Sequence, residues 1–155
     1  MGLGGPGTVV VAPDAGGVER ARAYAKRLDV PLAIVDQAHA GAGRALGVVG
    51  DVRGAATIIV DDIVDTAETL ITAAQALMQA GAASVVACAT HPVLSPGAIA
   101  RIEASPLAAL VVTDTIPLGP EAQACAKLRT RSMAPLIAEA IRRIHRGDSI
   151  SSLFS

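Results

Sequence analysis

Residues Thr57–Leu70 read TIIVDDIVDTAETL. Thr57–Val60 is a short β-branched, apolar run, which predicts a strand buried on both faces. Asp61 and Asp62 follow directly, then a third acid, Asp65, and the hydroxyls of Thr66 and Thr69 at the start of a helix predicted over 66–80. Ligands of open α/β sheets lie at the carboxyl ends of the strands. Adjacent carboxylates at such a mouth can accept hydrogen bonds from a vicinal diol or hold a hydrated Mg2+. The helix N-terminus beyond them presents unpaired N–H groups and the positive end of its dipole, which suit a phosphate. The order of these groups matches a sugar phosphate lying along the loop, diol on the acids and phosphate on the helix. A plainer reading stays open, in which Asp65 or Thr66 caps the helix and the acid pair is solvated.

Upstream, the apolar run Thr8–Ala12 ends at Pro13-Asp14-Ala15-Gly16-Gly17. Small residues there let backbone N–H groups approach an anion, and Asp14 can take a metal that bridges it, although a plain turn would look the same. A helical pattern over Val18–Leu28 puts Arg20, Arg22, Lys26 and Arg27 on its wet side. Pro31–Val35 is a second buried strand, followed by a Gly/Ala-rich loop over Gln37–Ala45 and a short candidate strand at Leu46–Val49. Downstream, Ser84–Ala89 and Leu110–Thr113 are strands and Ala98–Ala104 is a short helix. Pro135–Arg146 is a helix with Pro at its start and Gly147 just past its end. Apolar strands alternating with helices predict an α/β fold: a mostly parallel sheet of about five strands with helices on both faces. It forms one domain over residues 8–155, preceded at 1–7 by a linker or the edge of an expressed fragment.

Composition narrows the function. At 155 residues the chain suits one domain, and with 17% charged residues it is not a disordered segment. Thirteen basic against fourteen acidic residues leave no global field for nucleic acid or an anionic membrane. The aromatics are Tyr24 and Phe154, too few for a base-stacking platform. Cys88 and Cys125 have no metal-ligand spacing and predict a reduced, cytoplasmic chain. The start shows no basic-then-apolar signal peptide. Thr69–Thr90 is uncharged and long enough for a bilayer of ~30 Å, but Gln75, Gln79, Gly81 and Ser84 break it into a helix and a strand. No P-loop, H-E-x-x-H or G-x-S-x-G occurs, and neither glycine cluster has the strand–turn–helix context of a dinucleotide site. His39, His91 and His145 have no ligand spacing.

TIIVDDIVDTAETL resembles the phosphoribosyl pyrophosphate (PRPP) motif of type I phosphoribosyltransferases. VVVAPDAGGVERARAYAKRL, ATHPVLS at Ala89–Ser95, VVTDTIPL at Val111–Leu118 and the ending IRRIHRGDSISSLF resemble, more narrowly, the carboxyl-terminal domain of ribose-phosphate diphosphokinases, the PRPP synthetases. The resemblance implies a type I phosphoribosyltransferase-like sheet in which Asp61 and Asp62 hold the ribose hydroxyls. Asp65, Thr66, Ala67, Glu68 and Thr69 would hold the phosphate of ribose 5-phosphate. Asp14, Ala15, Gly16 and Gly17 would form a pyrophosphate loop, with Asp14 touching Mg2+. Ser149, Ser151 and Phe154 would belong to a regulatory nucleotide or phosphate site between subunits. The family reaction moves the β,γ-diphosphate of Mg-ATP to the anomeric hydroxyl of ribose 5-phosphate.

Departures from the family pattern temper this. The family's amino-terminal half, with most of the ATP site and a metal-binding His, is expected to be missing from these 155 residues. Gln37-Ala38-His39 stands where the family has Lys-Arg-Arg. Gln37 thus occupies the place of the catalytic lysine and His39 that of a clamping arginine, with Arg44 a partial replacement. Such transfers depend on neutralising charge, so lost cations weaken them. Glu68 replaces a glycine of the phosphate loop, which predicts repulsion of the phosphate unless it points away, and loss of a glycine-dependent backbone angle. Pro92 replaces another glycine, after His91. The expectation is a half-enzyme that binds ribose 5-phosphate, PRPP and ATP or ADP phosphates, is weak or inactive alone, and self-associates or pairs with an ATP-binding half. Alternatives are a non-catalytic regulatory or assembly subunit and a stand-alone phosphoribosyltransferase, the latter without a spare segment or aromatics for a nucleobase hood.

Overall fold

In the computed structural model, which describes residues 5, 7–36 and 47–153, strands β1 (Thr8–Ala12) and β4 (Ala56–Val64) run parallel at the middle of the sheet. The remaining strands are β2 (Leu32–Asp36), β3 (Gly47–Val49), β5 (Ser84–Pro92), β6 (Ala109–Thr113) and β7 (Leu128–Arg131). Their order is β3-β2-β1-β4-β5-β6-β7, parallel throughout except for β3, which is antiparallel to β2.

Alternation along β1 divides the core. Val9 and Val11 face one side with Ile59, Val85 and Leu110, where α2 (Glu68–Gln79) and α3 (Ala98–Ala104) bury Leu70, Ala73, Leu77, Ile99 and Ile102. Val10 and Ala12 face the other side with Ile58 and Val60, covered by Ala21 and Ala25 of α1 (Val18–Leu28). Alanines on these helices let their backbones approach the sheet closely, which is how a chain so poor in aromatics still fills its core.

The α/β architecture agrees with the sequence, but the sheet has seven strands where about five were expected. The miss has a physical cause at β7: of LRTR only Leu128 is buried, so no apolar run marks an edge strand that pairs through its backbone. The candidate strand beside the Gly/Ala loop is β3, three residues long. β4 and β5 also run beyond their apolar segments, pairing Asp61 with Ala89, Ile63 with His91 and Val64 with Pro92. A short unpredicted helix, α4 (Pro120–Ala124), precedes β7. Helix α5 (Ala134–Arg146) has Pro135 in its first turn and ends at Gly147 in the left-handed region, as expected, yet buries no residue. The described chain closes with a 3-10 turn at Ser151–Leu153.

Strand order fixes where a ligand fits. After β1 the chain crosses through α1 to β2 on one side, and after β4 it crosses through α2 to β5 on the other. The loops leaving these adjacent strands therefore diverge, opening a crevice at the topological switch point. Both loops singled out in the sequence hang there. Among the described residues no helix is long and apolar enough to cross a membrane, and Thr69–Thr90 divides between α2, a turn at Gly81 and β5 as expected.

Candidate functional site

The acid pair does not stand alone. Arg20 leaves α1 and reaches across to β4, its Nη1 donating to Asp61 Oδ1 at 3.0 Å and its Nη2 lying 2.7 Å from Asp62 Oδ2. This corrects the expected solvent-facing role of Arg20. Asp61 also accepts the backbone N–H of Asp62 at 2.9 Å. Its carboxylate is mostly buried (18% exposed) while that of Asp62 is open (55% exposed). Desolvation accordingly pushes the Asp61 carboxyl above the usual range. Asp62 goes the other way: slight desolvation opposes the shift, but the hydrogen bond with Asp61 and the Arg20 charge hold it below. The two open possibilities for the pair now separate. A guanidinium already fills the cation position between the carboxylates, which favours their accepting hydroxyl protons over holding a metal.

Beyond them, the loop 65–69 wraps a cleft of about 130 Å3 lined by Asp61 and residues 63–70. Helix α2 begins at Glu68, and its cap residue Ala67 offers no side-chain bond, but Glu68 N–H donates to Thr66 Oγ1 at 3.4 Å. The plain capping reading thus holds in part for Thr66 and not for Asp65, and the N–H groups further along the first turn are those open to a ligand. The residue in the left-handed region is Ala67, at φ 66°, while Glu68 is already helical. The expected loss of a glycine-dependent angle at Glu68 is thereby corrected: the strained position lies one residue earlier, and Glu68 bears no such strain. The loop is held from the β5–α3 connection. Leu94 N–H donates to Val64 O at 3.1 Å and Ser95 N–H to Asp65 O at 3.2 Å. Ser95 Oγ donates to Asp65 Oδ1, and Arg101 Nε donates to Thr66 O at 2.9 Å.

On the other side of the crevice, Gly17 N–H donates to Asp14 Oδ1 at 2.9 Å, closing the turn into α1. A Cβ on Gly17 would come within 3.2 Å of Pro13 Cδ, so a larger residue there would need Pro13 to give by a few tenths of an ångström. Among the described residues no group of three His, Cys, Asp or Glu forms a metal cage. Asp14 offers a single hard oxygen donor group, which fits a magnesium ion shared with substrate phosphates and not one enclosed by protein.

Residues 36–155 match the phosphoribosyl synthetase-associated domain. The chain belongs to that family. It is 51% identical over 153 residues to the ribose-phosphate pyrophosphokinase of Caldanaerobacter subterraneus subsp. tengcongensis, covering 97% of this chain and 48% of that protein. It is 56% identical over 149 residues to the enzyme of the same name from Bordetella pertussis, covering 95% of this chain and 48% of that one. A crystal structure of phosphoribosylpyrophosphate synthetase from Mycobacterium smegmatis superposes with a TM-score of 0.81 at 37% identity, over 91% of this chain and 46% of that one. The chain spans about half the length of the curated relatives it matches.

Within this synthetase-associated domain the structure brings together the acid pair and the loop 65–69, with the Asp14 turn at the mouth of the neighbouring strand. It does not bring Ser149 and Ser151 to that crevice: they follow α5, where Arg143 Nη1 donates to Ser149 O at 3.2 Å and also binds Ser152 Oγ. Gln37, His39, Arg44 and Phe154 lie outside the described residues. A cavity of about 450 Å3 against β6 and β7 contains none of the residues the sequence indicated. Sequence reasoning missed Arg20, Ser95 and Arg101. Arg20 had a usable signal, a cation one helical turn beyond the Asp14 loop; the other two are joined to the site only by tertiary contact.

Proposed function

We propose that this chain is the ribose 5-phosphate- and PRPP-binding half, corresponding to the carboxyl-terminal domain, of a ribose-phosphate diphosphokinase. The observation that carries the reading is the cleft that runs from Asp61 of the Arg20-bridged acid pair to the start of α2. Asp61 and Asp62 accept the O–H groups of the ribose hydroxyls, with Arg20 keeping the pair ionised and aimed. Residues 65–69 hold the 5-phosphate on N–H groups at the start of α2. The Asp14–Gly17 turn holds the transferred diphosphate, and Asp14 contributes a carboxylate oxygen to the magnesium that arrives with ATP. When bound, that ion draws negative charge from the diphosphate. The anomeric hydroxyl then attacks the β-phosphorus of ATP, loses its proton and expels AMP, giving PRPP.

The chain alone is expected to turn over slowly or not at all, since Gln37-Ala38-His39 supplies no cation where its relatives by resemblance have three. The same observation favours a second reading, a regulatory or assembly subunit that keeps the fold. Calorimetric titration of ribose 5-phosphate and of PRPP, with and without Mg2+, separates them. Binding of both without PRPP formation from ATP supports the half-enzyme. Binding of neither supports the assembly subunit and overturns the leading reading. PRPP synthesis at full-enzyme rates would overturn the expectation of low activity.

A further inference from the structure

Three successive carbonyls of the phosphate loop, those of Val64, Asp65 and Thr66, are each held from the β5–α3 connection or from α3 itself. The first two accept backbone N–H groups of Leu94 and Ser95, but the third accepts Nε of Arg101, a side chain. Every described peptide bond is trans, so each carbonyl points opposite to the N–H of the following residue. Fixing the Thr66 carbonyl toward α3 therefore aims the Ala67 N–H away from α3, into the cleft. The Arg101 guanidinium lies over Gly97, which sits at φ 82°: a Cβ built there would come 3.4 Å from Nη1. Arg101 also lines, together with Glu68, a second cavity of about 220 Å3 on the α3 side of the loop. That is the side on which a Glu68 carboxylate does least harm to a bound phosphate.

We propose that Arg101 is a positioning residue of the phosphate loop, latching the Thr66 carbonyl so that Ala67 N–H faces the ligand and drawing Glu68 toward α3. The proposal rests on the reading of this loop as a phosphate site. It acts through two separable properties, a donated hydrogen bond and a positive charge. Losing one hydrogen bond to the loop corresponds to about a tenfold loss of affinity.

The test compares Arg101→Met, which keeps the stem over Gly97, with Arg101→Lys and with Arg101→Met combined with Glu68→Gln. Ribose 5-phosphate and inorganic phosphate are titrated by calorimetry, and amide exchange of Thr66 and Ala67 is followed by NMR without ligand. Arg101→Met should weaken both ligands about tenfold and speed exchange at Ala67, with the melting temperature nearly unchanged. Arg101→Lys should recover most of the affinity, and Glu68→Gln should recover part of it in the Met background, which a purely structural role for Arg101 would not produce. Unaltered affinity with unaltered Ala67 exchange overturns the proposal. If the wild-type chain binds neither probe, the phosphate reading falls, and the exchange measurement alone decides the latch: faster exchange supports it and unchanged exchange overturns it.

Discussion

At the mouths of β1 and β4, polar side chains from elements far apart in sequence are tied to one another: Arg20 to Asp61 and Asp62, Ser95 to Asp65, Arg101 to the Thr66 carbonyl. On the outer face of α5 the opposite holds. Leu136, Ile137, Ile141 and Ile144 share a helix that buries nothing, with Ile141 62% and Ile144 65% exposed. Both regions depart from the simple rule of apolar inside and polar outside, for different reasons. The mouth is largely finished, because Arg20, Asp61, Asp62, Asp65 and Arg101 each have a partner within the chain. The α5 face is apolar surface that the described residues leave uncovered.

Several measurements break or sharpen this contrast. The largest effect is expected in the shared core that carries the mouth: Leu77→Ala, at a fully buried position on α2, should cost about 2–5 kcal/mol in denaturant unfolding. A cost below about 1 kcal/mol would mean that α2 is not anchored as described. Next, Asp61→Asn with Asp62→Asn should weaken ribose 5-phosphate by about a hundredfold, the loss of charged hydrogen bonds, in calorimetry. Retained affinity would place the diol elsewhere. Arg20→Met should weaken the same ligand by about tenfold and cost about 1 kcal/mol of stability, as expected for a partly exposed ion pair. Equal affinity in wild type and variant would show that the acids need no tie.

A smaller effect concerns acidity. Because desolvation raises the Asp61 carboxyl, it takes up a proton earlier than an ordinary aspartate as pH falls, and the site loses an acceptor at that point. The sign for stability is the reverse: the ionised Asp61 burdens the fold above its raised range, and acid relieves that burden. Affinity should therefore fall through the acid range in wild type, and the ratio of wild type to Asp61→Asn should remove the ligand's own titration and isolate the step. A ratio independent of pH would contradict the assignment. The smallest effect belongs to α5, where Ile141→Ser and Ile144→Ser should each change stability by less than about 0.5 kcal/mol. A larger loss would show that the face is covered in solution, and the contrast drawn above would collapse.

How much of this the sequence disclosed depended on the range of each interaction. Asp61, Asp62 and the loop 65–69 were legible because a buried strand must end somewhere and its mouth is read directly from order along the chain. Strand β7 was not, since Arg129, Thr130 and Arg131 pair through their backbones and leave no apolar signature. Glu68 was expected to lose a glycine-dependent angle, but the strained angle belongs to Ala67, a shift of one residue that pattern alone does not resolve. Arg20 was read as solvent-facing because helical periodicity reports which side of a helix is wet, and not that a long side chain there bends back to a neighbouring strand. Arg101 and Thr66 are 35 residues apart, and nothing local in either segment signals the other.

The tie between Arg20 and the two acids also determines what an approaching ligand meets from a distance. As a group, the two carboxylates and the guanidinium carry a single net negative charge instead of the double charge of an untied pair. A sugar phosphate carrying two negative charges would be turned back from a bare acid pair on many of its encounters, and more so in dilute salt. Halving that charge lessens the repulsion without removing it, so the entry of such a ligand should still speed up with added salt, though less steeply than at an untied pair.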